Sequence, residues 1–146
     1  KYGAGRNCDN MIFLTFGTGM GAGLILNGRL YSGTSDAAGE IGHMRMERFG
    51  PSGYGKAGSF EGFCSGGGIA KLGRMYAEAM FQRGSAPSYC KCPNELEKIT
   101  AKSIAEAAIG GDADAAYVYD GVRSCARRTW RGNRRLCGNL RCTGYI

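Results

Sequence analysis

The sequence predicts an α/β fold in which short antiparallel strands come first and helices follow. Residues 11–15 and 24–26 are short apolar runs of the kind that form strands, and the first of them is branched and aromatic in part, as a buried strand would be. The pair Asn27-Gly28 separates the second run from residues 29–31, and Asn-Gly between two such runs is the strongest short-range signal for a hairpin. From residue 68 to residue 81 the apolar side chains instead recur at helical spacing.

Length and composition favour one folded domain of average size. The chain has 146 residues, of which 43% are hydrophobic, with 26 glycines and 3 prolines. No apolar run approaches the roughly 20 residues that cross a bilayer, and no signal peptide is visible. We therefore expect a cytoplasmic protein without a membrane partner. Since the first residue is Lys1 and not methionine, we also expect the true start to be missing.

The net charge of +7 comes entirely from the end of the chain. Residues 121–146 hold seven arginines, no acidic residue and Trp130, the one tryptophan. Arginines that neutralise phosphates and a tryptophan that stacks on a base would suit nucleic acid. The apolar residues of this stretch follow no helical or strand period, which favours a disordered or out-of-frame tail. We accordingly divide the chain into a partial lobe, residues 1–120, and a basic tail, residues 121–146.

The seven cysteines form no regular disulfide framework, so reduced thiols are the simplest interpretation. Cys90 and Cys92 are separated by one residue in a loop that contains proline. No second pair of Cys or His residues follows at zinc-finger spacing, which favours two free thiols over a metal site.

Residues 16–23, FGTGMGAG, place a glycine at every second position: Gly17, Gly19, Gly21 and Gly23. A P-loop would need a lysine directly after its glycines, and none follows until Lys56. A Rossmann glycine motif must open a helix, whereas a hairpin follows here. Glycines two apart leave a strip without side chains, where an anion can approach backbone amides and the Thr18 hydroxyl. The alternative is that these glycines serve only a bulge or close strand packing.

Three polar residues downstream are candidates for binding a ligand rich in hydroxyl groups. His43, the only histidine, follows Glu40 by three residues, and Glu61 lies where a glycine-rich loop meets the predicted helix. A carboxylate and an imidazole can each hydrogen-bond a sugar hydroxyl. A lone histidine is, however, more often a surface or packing residue, so that interpretation stays open.

Two stretches, LTFGTGMGAGLILNGRLYSGTSDAAGEIGHM and GKAGSFEGFCSG, resemble the central part of the ROK family (repressor, open reading frame, kinase). The resemblance runs from about Gly3 to about Tyr119. It implies an incomplete α/β fold, namely the part of an actin-like ATPase (ribonuclease H-like) sugar kinase fold that consists mainly of the C-terminal lobe. It implies a phosphate-contacting hairpin and a sugar site, whose residues would be Gly17, Thr18, Gly19, Gly21 and Gly23 for phosphate, and Glu40, His43 and Glu61 for sugar.

The chain departs from this family where the family binds zinc. The three cysteines of the family motif fall on Ser52, Tyr54 and Ser59, which leaves His43 as the one remaining ligand. Tetrahedral zinc binding then lacks ligands, so we expect no zinc. The loop must be held by packing, for which Tyr54 and Phe60 are candidates, or be looser than in zinc-bearing relatives.

The resemblance also implies a chemistry that this chain holds only in part. A complete relative transfers a phosphoryl group from ATP, with Mg²⁺, to a hydroxyl of a hexose or amino-hexose. Its catalytic aspartate would lie upstream of Lys1; Asp9, in RNCDN, instead resembles the loop before the first strand. We expect the isolated chain to be inactive. A homodimer of the complete protein is implied, and DNA is a partner only if the chain belongs to a ROK repressor.

Overall fold

The computed structural model describes residues 3–133. Strands and 3-10 turns dominate the first part of this range and helices the second part. No described helix is long and apolar enough to cross a membrane. The elements, in chain order, are strands β1 Met11–Phe16, β2 Met20–Leu26, β3 Arg29–Tyr31, β4 Ser52–Gly53 and β5 Lys56–Ala57, then helices α1 Phe60–Cys64, α2 Gly66–Gln82, α3 Ala101–Ile109 and α4 Ala113–Asn133, with 3-10 turns at Gly3–Gly5, Ile41–His43 and Pro93–Lys98.

Strands β1, β2 and β3 form one antiparallel sheet in that order, which confirms the predicted hairpin. Asn27 and Gly28 join β2 to β3 with φ values of 51° and 74°. Both values lie in the left-handed region, as the two central residues of a type I′ turn require. The residues between β1 and β2 form the other turn, so the glycine stretch joins strand to strand as predicted.

Strand β1 exists where the sequence predicts it, but the expectation that it is buried was wrong. The side chains of Phe13 and Phe16 are 61% and 55% exposed. Phe16 meets the edge of the Phe60 ring, with the ring centroids 6.4 Å apart, and Leu14 packs against the same cluster around α1. Within the described residues, α1 therefore covers only part of this strand.

The second half of the described chain is held together by a helical core. Helix α2, predicted over residues 68–81, runs from Gly66 to Gln82 and packs against α3 and α4. The buried residues of α2 are all small. At Gly73 a larger residue would not fit, because a Cβ there would lie 2.4 Å from Cδ1 of Ile104. Ile104 of α3 thus fills the space that Gly73 leaves open, and its own exposure is 0%.

Helix α4 crosses the boundary that the sequence suggested at residue 120. It continues to Asn133, and its apolar side chains Val118, Val122 and Cys125 follow a helical period that the basic composition had hidden. Cys125 is completely buried against α1. Up to residue 133, therefore, the predicted tail is helical rather than disordered. Residues 134–146, which make up the rest of the proposed tail, lie outside the described residues. The division of the chain into two parts stays a prediction.

Two buried thiols meet where α1 packs against α4. None of the five cysteines of the described chain is in a disulfide; Cys64 and Cys125 are buried, whereas Cys8 and Cys92 are exposed. A hydrogen bond with Cys125 and burial raise the pKa of the Cys64 thiol well above its usual range. Since the thiolate is the reactive form, Cys64 should be chemically inert in the folded protein.

We expect iodoacetamide at pH 8 to alkylate the exposed Cys8 and Cys92, while the buried Cys64 and Cys125 stay protected. Burial and the hydrogen bond with Cys125 keep the thiolate of Cys64 disfavoured. Mass-spectrometric peptide mapping would give the modification rate of each cysteine. The control is the same reaction in urea, where all four should react alike. Rapid alkylation of Cys64 in the folded chain at pH 8 would contradict the packing of α1 on α4.

Candidate functional site

The turn that holds Glu40 and His43 is docked against strand β2. The amide of Ala22 donates to the Gly39 carbonyl at 2.8 Å. Gly39 has a φ of 100°, and a Cβ there would lie 2.0 Å from the Ala22 carbonyl oxygen. Only glycine allows this approach, and the approach brings the following 3-10 turn, Ile41–His43, alongside the glycine hairpin.

Glu40 and His43 form a pair on the accessible side of this turn. Nε2 of His43 lies 3.6 Å from Oε2 of Glu40, and the two side chains are 34% and 62% exposed. A pair this exposed adds little to stability, because solvent screens it. Its carboxylate oxygens and imidazole nitrogen are instead available for hydrogen bonds to a ligand.

Glu61 joins the Glu40–His43 turn to the glycine hairpin. It lies in the first turn of α1, which begins at Phe60 because the Ser59 hydroxyl accepts from the Gly62 amide. Oε2 of Glu61 accepts a hydrogen bond of 3.0 Å from the Met20 amide. A Cβ at Gly42 would lie 3.1 Å from Cβ of Glu61. The three predicted sugar residues therefore come from two elements that meet at the end of the hairpin.

The turn between β1 and β2 is oriented by helix α2. The Gly17 and Thr18 carbonyls accept from the amides of Gly66 and Gly67, at 2.7 and 3.3 Å. In a trans peptide the carbonyl and the following N–H point in opposite directions, so the Thr18 and Gly19 amides point away from α2. Neither amide donates to an acceptor within residues 3–133. Two exposed N–H groups are thus available to an anion.

The spacing of the glycines is only partly explained by packing inside the described chain. A Cβ at Gly19 would lie 3.0 Å from Glu61 Oε2, and one at Gly21 would touch the Thr15 hydroxyl. At Gly17 and Gly23 an added Cβ would meet nothing within 4 Å among the described atoms. None of the four has a positive φ. Packing inside the described chain therefore accounts for Gly19, where the Glu61 carboxylate leaves little room for a side chain, whereas the contacts at Gly17, Gly21 and Gly23 do not require glycine.

The zinc ligands of the family motif are replaced here by a hydrogen-bonded loop. Ser59 is fully buried. Its hydroxyl accepts hydrogen bonds from the Gly53 and Gly62 amides at 3.2 and 3.0 Å and donates one to the Gly53 carbonyl at 3.3 Å. A serine engaged in this way and a tyrosine at position 54 are not the nitrogen and sulfur ligands that structural zinc prefers. These residues do not fit zinc, and nowhere in the described chain do three His, Cys, Asp or Glu residues lie close enough to hold a metal.

Of the two packing candidates for this loop, only Phe60 is buried, at 3% exposure. Tyr54 is 81% exposed, so it does not hold the loop from inside. The role of Ser59 could have been found in the sequence, since a serine directly before a helix is a common N-cap. Its second partner, Gly53, belongs to another element and was visible only in the tertiary structure.

Replacing Ser59 by alanine should lower the free energy of unfolding by about 1–3 kcal/mol, because two buried amides would lose their acceptor. Urea denaturation followed by circular dichroism measures the change. Ser85→Ala is the matched control, since the Ser85 hydroxyl makes one exposed hydrogen bond, to the Met80 carbonyl. Equal stability losses in the two variants would contradict the role given to Ser59.

Asp9 lies at the far end of the hairpin from these residues. Its carbonyl accepts from the Gly28 amide at 2.7 Å, next to the β2–β3 turn. The six residues of β1 separate it from the glycine turn, a distance of about 20 Å at 3.3 Å per residue. Asp9 is therefore not part of the candidate site.

Residues 1–129 match the family profile described as ROK family. The chain belongs to the ROK family. Among ROK proteins it is 35% identical over 122 residues to a glucokinase of Halalkalibacterium halodurans, an alignment that covers 82% of this chain and 36% of that enzyme.

Solved ROK structures resemble the chain as well. A ROK glucokinase from Streptomyces griseus, in complex with glucose and AMPPNP, superposes with a TM-score of 0.63 at 30% identity, covering 85% of this chain and 40% of that one. A ROK transcriptional regulator, a homolog of the E. coli MLC protein, gives a TM-score of 0.53 at 30% identity, covering 77% of this chain and 27% of that one.

These similarities confirm the predicted fold class: the chain is part of the actin-like ATPase fold of ROK sugar kinases. The chain spans about two fifths of the length of the glucokinases that it matches.

Proposed function

We propose that this chain is the sugar-binding part of an ATP-dependent hexose kinase and carries one of its phosphate-binding turns. The observation that carries the proposal is the hydrogen bond between Glu61 and the Met20 amide. This bond brings the side chains proposed to bind sugar directly beside a turn with exposed amides. The similarity to glucokinases, one of them solved with glucose and AMPPNP, supports the same function.

In this proposal each residue has a distinct task. Glu40, His43 and Glu61 orient the sugar through hydrogen bonds to its hydroxyls. The amides of Thr18 and Gly19 bind a phosphate of ATP, and the absence of side chains at Gly17, Gly21 and Gly23 lets that phosphate approach the backbone.

ATP supplies the phosphoryl group, and Mg²⁺ would neutralise its developing charge. The base that takes the hydroxyl proton is proposed to be an aspartate of the complete protein upstream of Lys1, and no described residue is assigned that task. The proposed partners remain a hexose or amino-hexose and ATP, together with a second copy of the complete protein.

The second candidate function is that of the sugar-sensing part of a ROK transcriptional repressor. The similarity to a solved ROK regulator favours it. Both functions need the sugar site, but only the kinase needs a phosphate site. DNA would be a partner of the complete protein in this case alone.

Isothermal titration calorimetry on the 146-residue chain would test the proposal. We expect binding of D-glucose or N-acetylmannosamine and, separately, weak binding of AMPPNP, but negligible phosphoryl transfer. Thr18→Pro would remove one of the two free amides and should weaken AMPPNP binding alone. Sugar binding without any AMPPNP binding would favour the repressor, and binding of neither ligand would overturn the proposal.

A further inference from the structure

An exposed tyrosine occupies an unusual position in the β4–β5 hairpin. Tyr54 and Gly55 form its two-residue turn with φ values of 51° and 73°. Left-handed backbone at the first of these positions favours Asn, Asp or Gly, because a bulky side chain crowds the backbone there. Tyr54 is also 81% exposed. Neither turn preference nor burial accounts for a tyrosine at this position.

The contacts of this hairpin converge on His43. The Tyr54 ring stacks on the His43 imidazole, with centroids 4.5 Å apart and planes inclined by 29°. On the neighbouring strand, Nζ of Lys56 donates to the His43 carbonyl at 2.8 Å. The hairpin thus holds both the side chain and the backbone of the one histidine in the candidate sugar site.

The hairpin is itself fixed to two helices. The Ser59 hydroxyl, at the start of α1, binds Gly53, and Nζ of Lys71 in α2 donates to the Ser52 carbonyl at 2.7 Å. Because both ends of β4 are tied down, the turn has a defined position relative to His43. A stack on an anchored ring restricts the rotation of the imidazole.

We infer that Tyr54 is a positioning residue for His43: its ring holds the imidazole in the orientation that directs Nε2 toward Glu40 and a bound sugar hydroxyl. The inference rests on the proposed function, because it concerns the same sugar site. In the resemblance to the ROK motif, position 54 is one of the zinc-binding cysteines. Here aromatic stacking takes over the task of holding the histidine, and no metal is needed for it.

The test uses the fact that His43 is the only histidine, so that the chain gives a single set of imidazole NMR signals. Tyr54→Asn removes the ring while suiting the left-handed turn. We expect the His43 ring protons to move downfield as the shielding is lost, and hexose affinity to fall roughly three- to tenfold. The unfolding midpoint should stay the same or rise, because asparagine tolerates this backbone conformation better. Tyr54→Phe keeps the ring and should preserve all three quantities.

The opposite directions of stability and affinity separate positioning from a merely structural role. Loss of affinity together with a lower unfolding midpoint would overturn the inference, as would an unchanged imidazole signal in Tyr54→Asn. Hexose binding that survives Tyr54→Asn at full strength would overturn the inference alone. If the His43 signals differ between the wild-type chain and Tyr54→Asn as expected, but the wild-type chain binds no hexose, the proposed function would be overturned. The contact between Tyr54 and His43 would then still stand.

Discussion

Glu61→Gln should weaken hexose binding by about tenfold or more while leaving the fold intact. In the proposed site the Glu61 carboxylate binds a sugar hydroxyl, and a hydrogen bond to a charged group contributes about 1.5–3 kcal/mol. The glutamine carbonyl oxygen can still accept the hydrogen bond from the Met20 amide, because the side chain keeps its length and shape. Calorimetry with the preferred hexose measures the affinity, and urea denaturation measures the stability.

Glu61→Ala separates the two tasks of this residue. It removes the sugar contact and also leaves the amide of the buried Met20 without its acceptor, which should lower the free energy of unfolding by about 1–3 kcal/mol. Glu78→Gln is the matched control, because Glu78 lies exposed on α2 away from the site. Unchanged hexose affinity in Glu61→Gln would remove Glu61 from the sugar site.

Ile104→Ala should have the largest effect on stability, a loss of about 2–5 kcal/mol. Ile104 has an exposure of 0% and fills the space above Gly73, where the tight contact between α2 and α3 leaves little room for the cavity to collapse. Urea denaturation with an unchanged slope would show that the folded state alone has been destabilised.

The control for this variant lies on the same helix. Ile109 is 87% exposed, so Ile109→Ala deletes the same atoms without opening a cavity and should change stability by about 0.5 kcal/mol or less. Similar losses in the two variants would contradict the packing of α3 against α2.

Much of the local structure was predictable from short sequence patterns. The Asn27-Gly28 turn, the strands on either side of it and helix α2 each depend on neighbouring residues, which turn chemistry and helical period describe well. Helix α4 was missed beyond residue 120, because arginines on its exposed side obscured the apolar period of Val118, Val122 and Cys125. Burial of β1 was also predicted wrongly, since an apolar run indicates which side chains avoid water but not what covers them.

The candidate site divides in the same way. The glycine stretch and the residue types and spacing of Glu40, His43 and Glu61 were apparent in the sequence and were sufficient to suggest the family, from which the replaced cysteines depart. The contacts between these residues were not apparent. Glu61 binds the Met20 amide, 41 positions away, and the exposed amides of Thr18 and Gly19 depend on bonds from α2 to the preceding carbonyls.

The sequence by itself thus determined the elements and the chemical character of this chain, because backbone conformation and hydrogen-bonding capacity belong to individual residues and their close neighbours. Only the tertiary structure decided that the Ser59 hydroxyl ties Gly53 to the start of α1 and that Tyr54 lies on His43. These contacts join residues of different elements, and their distances depend on how the hairpins dock on α1 and α2, which no local pattern encodes.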